Sequence, residues 1–113
     1  MSGNILADLP DSPAEIFEIL LERPGIKIER IISSGQATPE GEWYDQEDDE
    51  WVLLVSGSAG ILIEGEPCLR RLEGGDFLLL PAGCRHRVEW TAPDGKSVWL
   101  AVHFPGSTAT VAA

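Results

Sequence analysis

Gly75-Asp76-Phe77-Leu78-Leu79-Leu80-Pro81-Ala82-Gly83-Cys84-Arg85-His86 reads as a strand, a tight corner and the start of a second strand. A histidine emerges just past the corner. Glycine, a proline six residues on, a second glycine and then a histidine make the pattern. At ordinary frequencies of roughly 7% Gly and 5% Pro, a chance match in a chain of this size is on the order of one in a thousand. Each residue has its own physical role. Gly75 allows the turn into the strand, Pro81 fixes φ and closes the ladder, and Gly83 permits a positive φ. Alternation along the second strand puts His86, Val88 and Trp90 on one face. A histidine aimed into an apolar β-framework is either a satisfied core residue or a ligand.

Working outward, the 113 residues suit one domain able to bury its own core. Apolar content of 43% and charged content of 24% are those of an ordinary globular protein. No apolar run approaches the ~20 residues that span a bilayer, and the N-terminus lacks the pattern of a signal peptide. Cys68 and Cys84 form neither a CxxC pair nor a disulfide framework, so the expected location is the cytoplasm. A net charge of −11 argues against nucleic acid and anionic membranes as partners. Glu47-Asp48-Asp49 reads as a solvated loop.

Ser12-Pro13-Ala14-Glu15 is a capping-box signature, and the apolar stripe Ile16, Phe17, Ile19, Leu20 and Leu21 predicts a short helix ending near Pro24-Gly25. From Ile26 the period changes to two. Strands are predicted over 26–33, 41–46, 50–56, 59–64, 67–73, 76–81, 85–91 and 97–104, mostly separated by Gly, Pro, Asn or Asp. Eight short strands with turn signals about every ten residues indicate an all-β sandwich or barrel. Strands 50–56 and 97–104 are apolar on both faces. One face can fill the barrel, and the other needs cover from the helix or a second copy, so a homodimer is expected. The small polar residues 106–113 are expected to trail in solvent as a flexible tail.

With 75–86 on strands, the chain resembles the cupin superfamily, the small RmlC-like jelly rolls. The family's second motif, glycine, five residues, proline, one residue, glycine, two residues and histidine, is filled at every position by Gly75, Pro81, Gly83 and His86. The asparagine that usually follows four residues later is Trp90 here. Of the first motif, Glu50 and Gly57 keep the glutamate and the glycine seven residues on, with Val-Leu-Leu-Val-Ser between them. Its two histidines are replaced: their positions fall on Tyr44 and Gln46, or on Trp43 and Asp45 after a one-residue shift. The resemblance runs from about Gly41 to Phe104. It implies one cupin domain, a double-stranded β-helix barrel over 26–105 behind an N-terminal arm and helix over 1–25.

The resemblance also implies a divalent metal ion, Fe, Mn, Zn or Ni, although only Glu50 and His86 of the usual ligands carry over. In the implied jelly roll, the strand opening at Glu50 runs antiparallel to the last strand, which brings His103 near Glu50. Glu50, His86 and His103 would then resemble the two-histidine, one-carboxylate set that suits Fe(II), with Gln46 or Asp45 adding an oxygen. The competing readings stay open: His86 as a neutral polar-pocket residue, Glu50 as its orienting partner, and Gln46 as a hydrogen-bonding group for a ligand. For His103, the opposite, wholly apolar face of its strand could equally be the interior. Tyr44 is a candidate proton donor. Arg70, Arg71, Arg85 and Arg87 are expected to pair with surface acids, Cys84 lacks a base to activate it, and the tryptophans read as core or interface. The implied activities are those of a metal-dependent oxygenase, isomerase or decarboxylase on a small polar molecule. The alternatives are a non-catalytic small-molecule sensor and a dimeric structural module.

Overall fold

The computed structural model describes residues 2–106. Eight strands run through them: β1 (Ile16–Arg23), β2 (Ile26–Ser33), β3 (Asp48–Ser56), β4 (Ser58–Ile63), β5 (Arg70–Glu73), β6 (Phe77–Leu80), β7 (His86–Thr91) and β8 (Ser97–Pro105). They form two antiparallel sheets, ordered β1-β2-β8-β3-β6 and β5-β4-β7. The inward residues of both close on one apolar core, with Leu54, Trp99 and Leu80 from the larger sheet against Ile61 and Ala59 from the smaller. Leu54, Ile61 and Leu80 are at most 2% exposed. Each such side chain contributes about 1.5–3 kcal/mol by leaving water. This is the jelly-roll barrel expected from the sequence.

The N-terminal helix is not there. Ser12 Oγ does accept a hydrogen bond from the Ala14 amide at 3.1 Å, so the local capping signal is real. Propagation is overruled by tertiary pairing. Pro24 and Gly25, the latter at φ +83°, make a tight turn of the type II signature that folds 16–23 back onto β2 as an antiparallel hairpin. An eight-residue helix is marginal alone, whereas an edge strand satisfies one side of its backbone against an existing sheet. A bulge between Ile19 and Leu21 breaks the alternation, which is why the segment did not read as period two.

The outer face of the larger sheet is covered in part by the chain before β1. Arg30 is buried, binds Glu18 Oε1 at 2.6 Å through Nε, and donates through its terminal nitrogens to the carbonyls of Ile5, Ala7 and Asp8. A single guanidinium fork thus ties down the N-terminal segment in the helix's place.

The predicted strand 41–46 is also absent. Residues 34–47 run as an irregular segment beside β7, with an isolated bridge between Tyr44 and His86. Pro39 and Gly41 prevent a continuous ladder. The segment is held instead by Thr38 N to Val88 O (2.9 Å), by Thr91 Oγ1 to Gln36 O (2.6 Å), and by Arg87 reaching the carbonyls of Thr38, Pro39 and Glu42. Of the expected tail, residues 107–113 lie outside the described residues. No helix among the described residues is long and apolar enough to cross a membrane.

Candidate functional site

Register decides which side chains meet. In the larger sheet Glu50 pairs with His103, Val52 with Ala101 and Leu54 with Trp99, so all six share the inward face. On the other side of β8, Lys27 pairs with His103, Glu29 with Ala101 and Ile31 with Trp99. In the smaller sheet His86 pairs with Ile63 and Val88 with Ile61. A bulge opposite Gly60 and Ile61 then reverses the alternation. Trp90 is therefore turned to the outer face, where Arg71 lies 5.3 Å from its ring centroid. The expected common face of His86, Val88 and Trp90 holds only for the first two.

These inward residues surround a cavity of about 120 Å³, small beside the roughly 300–1,000 Å³ of drug-sized sites. Its polar lining includes Glu50, His86, His103, Gln46, Tyr44 and Glu29, with Glu15 also present and Trp99 and Phe17 as aromatic wall. Tyr44 and Gln46, which replace the first-motif histidines, both face it, whereas Asp45 is exposed and Trp43 lies under the guanidiniums of Arg85 and Arg87. Backbone bonds set this geometry: Tyr44 N to His86 O at 2.7 Å, His86 N to Tyr44 O at 3.1 Å and Gly83 N to Gln46 O at 2.9 Å. The Tyr44 and His86 rings stack with centroids 5.4 Å apart.

His86 is 5% exposed and Glu50 9%. The His86 Nδ1 atom lies 3.0 Å from the carbonyl of Cys84, an acceptor only, so in the neutral ring Nδ1 carries the hydrogen and Nε2 presents a lone pair. That lone pair has no hydrogen-bond partner among the described residues, and the nearest carboxylate oxygen, Glu50 Oε1, is 3.9 Å away. Glu50 Oε1 already accepts from Gln46 Nε2 at 2.9 Å. His103 Nε2 is 2.9 Å from Glu29 Oε1, and Ser33 Oγ donates to Glu15 Oε2 at 2.5 Å while receiving the Trp99 indole hydrogen at 3.1 Å. Burial first, then the carboxylates of Glu15, Glu50 and Glu42, push the Tyr44 phenol above its ordinary value.

The four expected metal ligands line one cavity but are not assembled as a metal set. His86 and Glu50 point toward a common centre, and the Cys84 carbonyl orients the ring as a second shell would. His103, however, is turned onto Glu29, and Gln46 spends its amide on Glu50. Among the described residues no three His, Cys, Asp or Glu side chains gather so as to hold a metal ion. Catalytic metal centres use about three protein ligands, and two are offered here. As placed, the residues do not fit a resident divalent ion.

Glu29 and Glu15 are cavity residues that the sequence reading did not single out. Glu29 shares a face with Ile31 in a half-buried strand, a signal for an inward carboxylate. Glu15 was absorbed into the capping box. Arg70, Arg71 and Arg85 pair as expected with surface acids, Glu66, Glu73 and Glu64. Arg87, paired with Glu89, is instead largely buried and serves mainly to hold the 34–47 segment.

Comparison with solved structures agrees with this architecture. A proposed mannose-6-phosphate isomerase from Ralstonia eutropha JMP134 is 57% identical, with a TM-score of 0.92 over 94% of this chain and 99% of that one. A cupin superfamily protein from Desulfitobacterium hafniense DCB-2 superposes with a TM-score of 0.73 at 16% identity, covering 89% of this chain and 86% of its own. An RmlC-like cupin with a double-stranded β-helix fold from Methanocaldococcus jannaschii gives 0.69 at 13% identity, over 94% of each. The two distant structures share the fold. With the near-complete match at 57% identity, the chain belongs to the cupin superfamily. No protein-family model and no curated protein matches it.

Proposed function

We propose that this cupin binds a small polar molecule rich in hydrogen-bond donors inside the barrel, with Glu50 and His86 as the acceptor pair. One observation carries the reading: the buried Nε2 of His86 has no hydrogen-bond partner among the described residues and lines the cavity beside a nearly buried carboxylate. Leaving such a group unpaired costs roughly 1–3 kcal/mol, which a bound donor returns. Two free cysteines support a reducing compartment, and the net charge of −11 disfavours nucleic acid and anionic membranes as partners.

The test is thermal stabilisation across a panel of small polyols, amides and amines, with and without chelator. Stabilisation that is indifferent to chelator and lost in His86→Asn supports the reading. Stoichiometric metal in protein purified without chelator, abolished by both Glu50→Ala and His86→Ala, would replace it with the divalent-metal reading.

An isomerase is the second reading, favoured because Glu50 as a base and the Tyr44 phenol as an acid share one chamber. The 57%-identical relative's proposed activity, isomerisation of mannose 6-phosphate, calls for proton transfer between adjacent carbons. Deuterium wash-in at carbon 2 of mannose 6-phosphate, abolished by Glu50→Gln, would establish it. Absence of wash-in with intact binding leaves the binding module.

A further inference from the structure

The cavity is unequal in its chemistry. Glu15, Glu29 and Glu50 bring three carboxylates to its lining, and among the described residues that line it there is no Lys or Arg. Its donors are mostly spent: the Gln46 amide on Glu50, the Trp99 indole on Ser33, and His103 Nε2 opposite Glu29. Independently of the carboxylates, the Nε2 lone pair of His86, on a ring 5% exposed, is a further acceptor with no donor among the described residues. The chamber therefore offers acceptors and asks for donors. Trp99, Tyr44 and Phe17 add aromatic lining, a surface more compatible with a cation than with an anion.

We infer that the ligand of this site is a small organic cation, an ammonium or amidinium group on a short stem, and not a phosphorylated molecule. The inference rests on the proposal that the cavity binds a small molecule, and it names the class. A phosphate monoester brings two negative charges and only acceptors, the opposite of what the lining can satisfy. Lys27 and Arg23 line a neighbouring groove that shares His103, where Glu22 and Asp48 accompany them. The Tyr44 phenol, on the cavity lining, is raised first by burial and then by the carboxylates of Glu15, Glu50 and Glu42, in keeping with that acidic lining.

Acetamidinium, acetamide and acetate share one shape and differ in charge, so titrating each into ¹⁵N-labelled protein with chelator present isolates the electrostatic preference. Shifts at Tyr44, Gln46 and His86 locate binding. Acetamidinium is expected to bind at least about tenfold more tightly than acetamide, the worth of one charge-assisted bond, with acetate and mannose 6-phosphate weaker still. Glu50→Gln is expected to remove that preference. Should that variant fail to fold, Glu15→Gln, at a half-buried position, reads the same field. Equal affinity for acetamide and acetamidinium overturns the cationic class while leaving a binding cavity. Tighter binding of acetate or mannose 6-phosphate at these residues overturns it in favour of an anionic ligand. No shift with any of the probes overturns both the class and the binding role.

Discussion

His86 Nε2 and Glu50 Oε1 face each other at 3.9 Å inside the barrel, two acceptors with no donor between them among the described residues. A donor entering the cavity can bridge the two. Glu50→Gln removes the buried charge, keeps an oxygen for Gln46 and supplies an amide hydrogen for His86. It is expected to stabilise the ligand-free protein by about 1 kcal/mol while weakening ligand binding, the trade-off common at binding sites. Urea denaturation with chelator present measures it. Destabilisation by more than about 1 kcal/mol would show that Glu50 serves the fold rather than the site.

Tyr44 is the single tyrosine of the chain, so tyrosinate absorbance reports it alone. Its phenol is raised above the ordinary value of 10.0 by burial and by Glu15, Glu50 and Glu42. The folded state therefore holds its proton to higher pH than the unfolded one. Its contribution to stability is complete below the unfolded value and declines as pH rises through the folded value. The spectrophotometric midpoint is expected above 10.0, and lower in Glu50→Gln and Glu15→Gln than in the parent. A parent midpoint at or below the ordinary value would mean that the chamber carries no such field.

Gly57, the glycine of the first motif, is required twice over. It sits at φ +95°, and a Cβ there would stand 2.7 Å from the Ser97 Cα of the neighbouring strand. Gly65 provides the control, since its φ is +92° with nothing within 4 Å of the added atom. Gly65→Ala is expected to cost about 1 kcal/mol for backbone strain alone. Gly57→Ala is expected to cost about 2 kcal/mol more, because backbone must move. Equal losses in denaturant melts would assign the motif glycine to its turn alone.

The homodimer expected from the doubly apolar strands remains a proposal, and the outer face of β3 and β6 is its candidate surface. Phe77 is 65% and Leu79 49% exposed there, beside Trp51, whose ring centroid lies 5.6 Å from that of Phe77. Sedimentation should give a dimer that Phe77→Asp converts to monomer without loss of fold. A monomeric parent at tens of micromolar would sink this assembly.

The barrel was legible because its signals are local and redundant. Gly75, Pro81 and Gly83 mark one corner by backbone chemistry, and Glu50 to Gly57 marks one strand and its exit. His86 could be singled out as a polar group emerging into an apolar strand, and Glu50 by its spacing to Gly57 in the family's first motif. What failed were features decided by distant partners. The capping box at Ser12 describes a true local turn, but β2 supplies the pairing that makes 16–23 a strand. Trp90 was misplaced because a bulge leaves no mark in period-two alternation. The state of His103 depends on Glu29, two strands of register away from Glu50, and no spacing rule encodes that pairing.

The chemistry of the cavity turns on which ring nitrogen of His86 carries the hydrogen, and ¹⁵N NMR of the imidazole in ligand-free, metal-free protein reads this directly. The expected spectrum, for the neutral ring, has a protonated Nδ1 and a bare Nε2, with Nε2 moving when a donor ligand is added. A hydrogen on Nε2, directed at Glu50, would leave the chamber with a satisfied internal pair and would contradict its role as a receptor for donors.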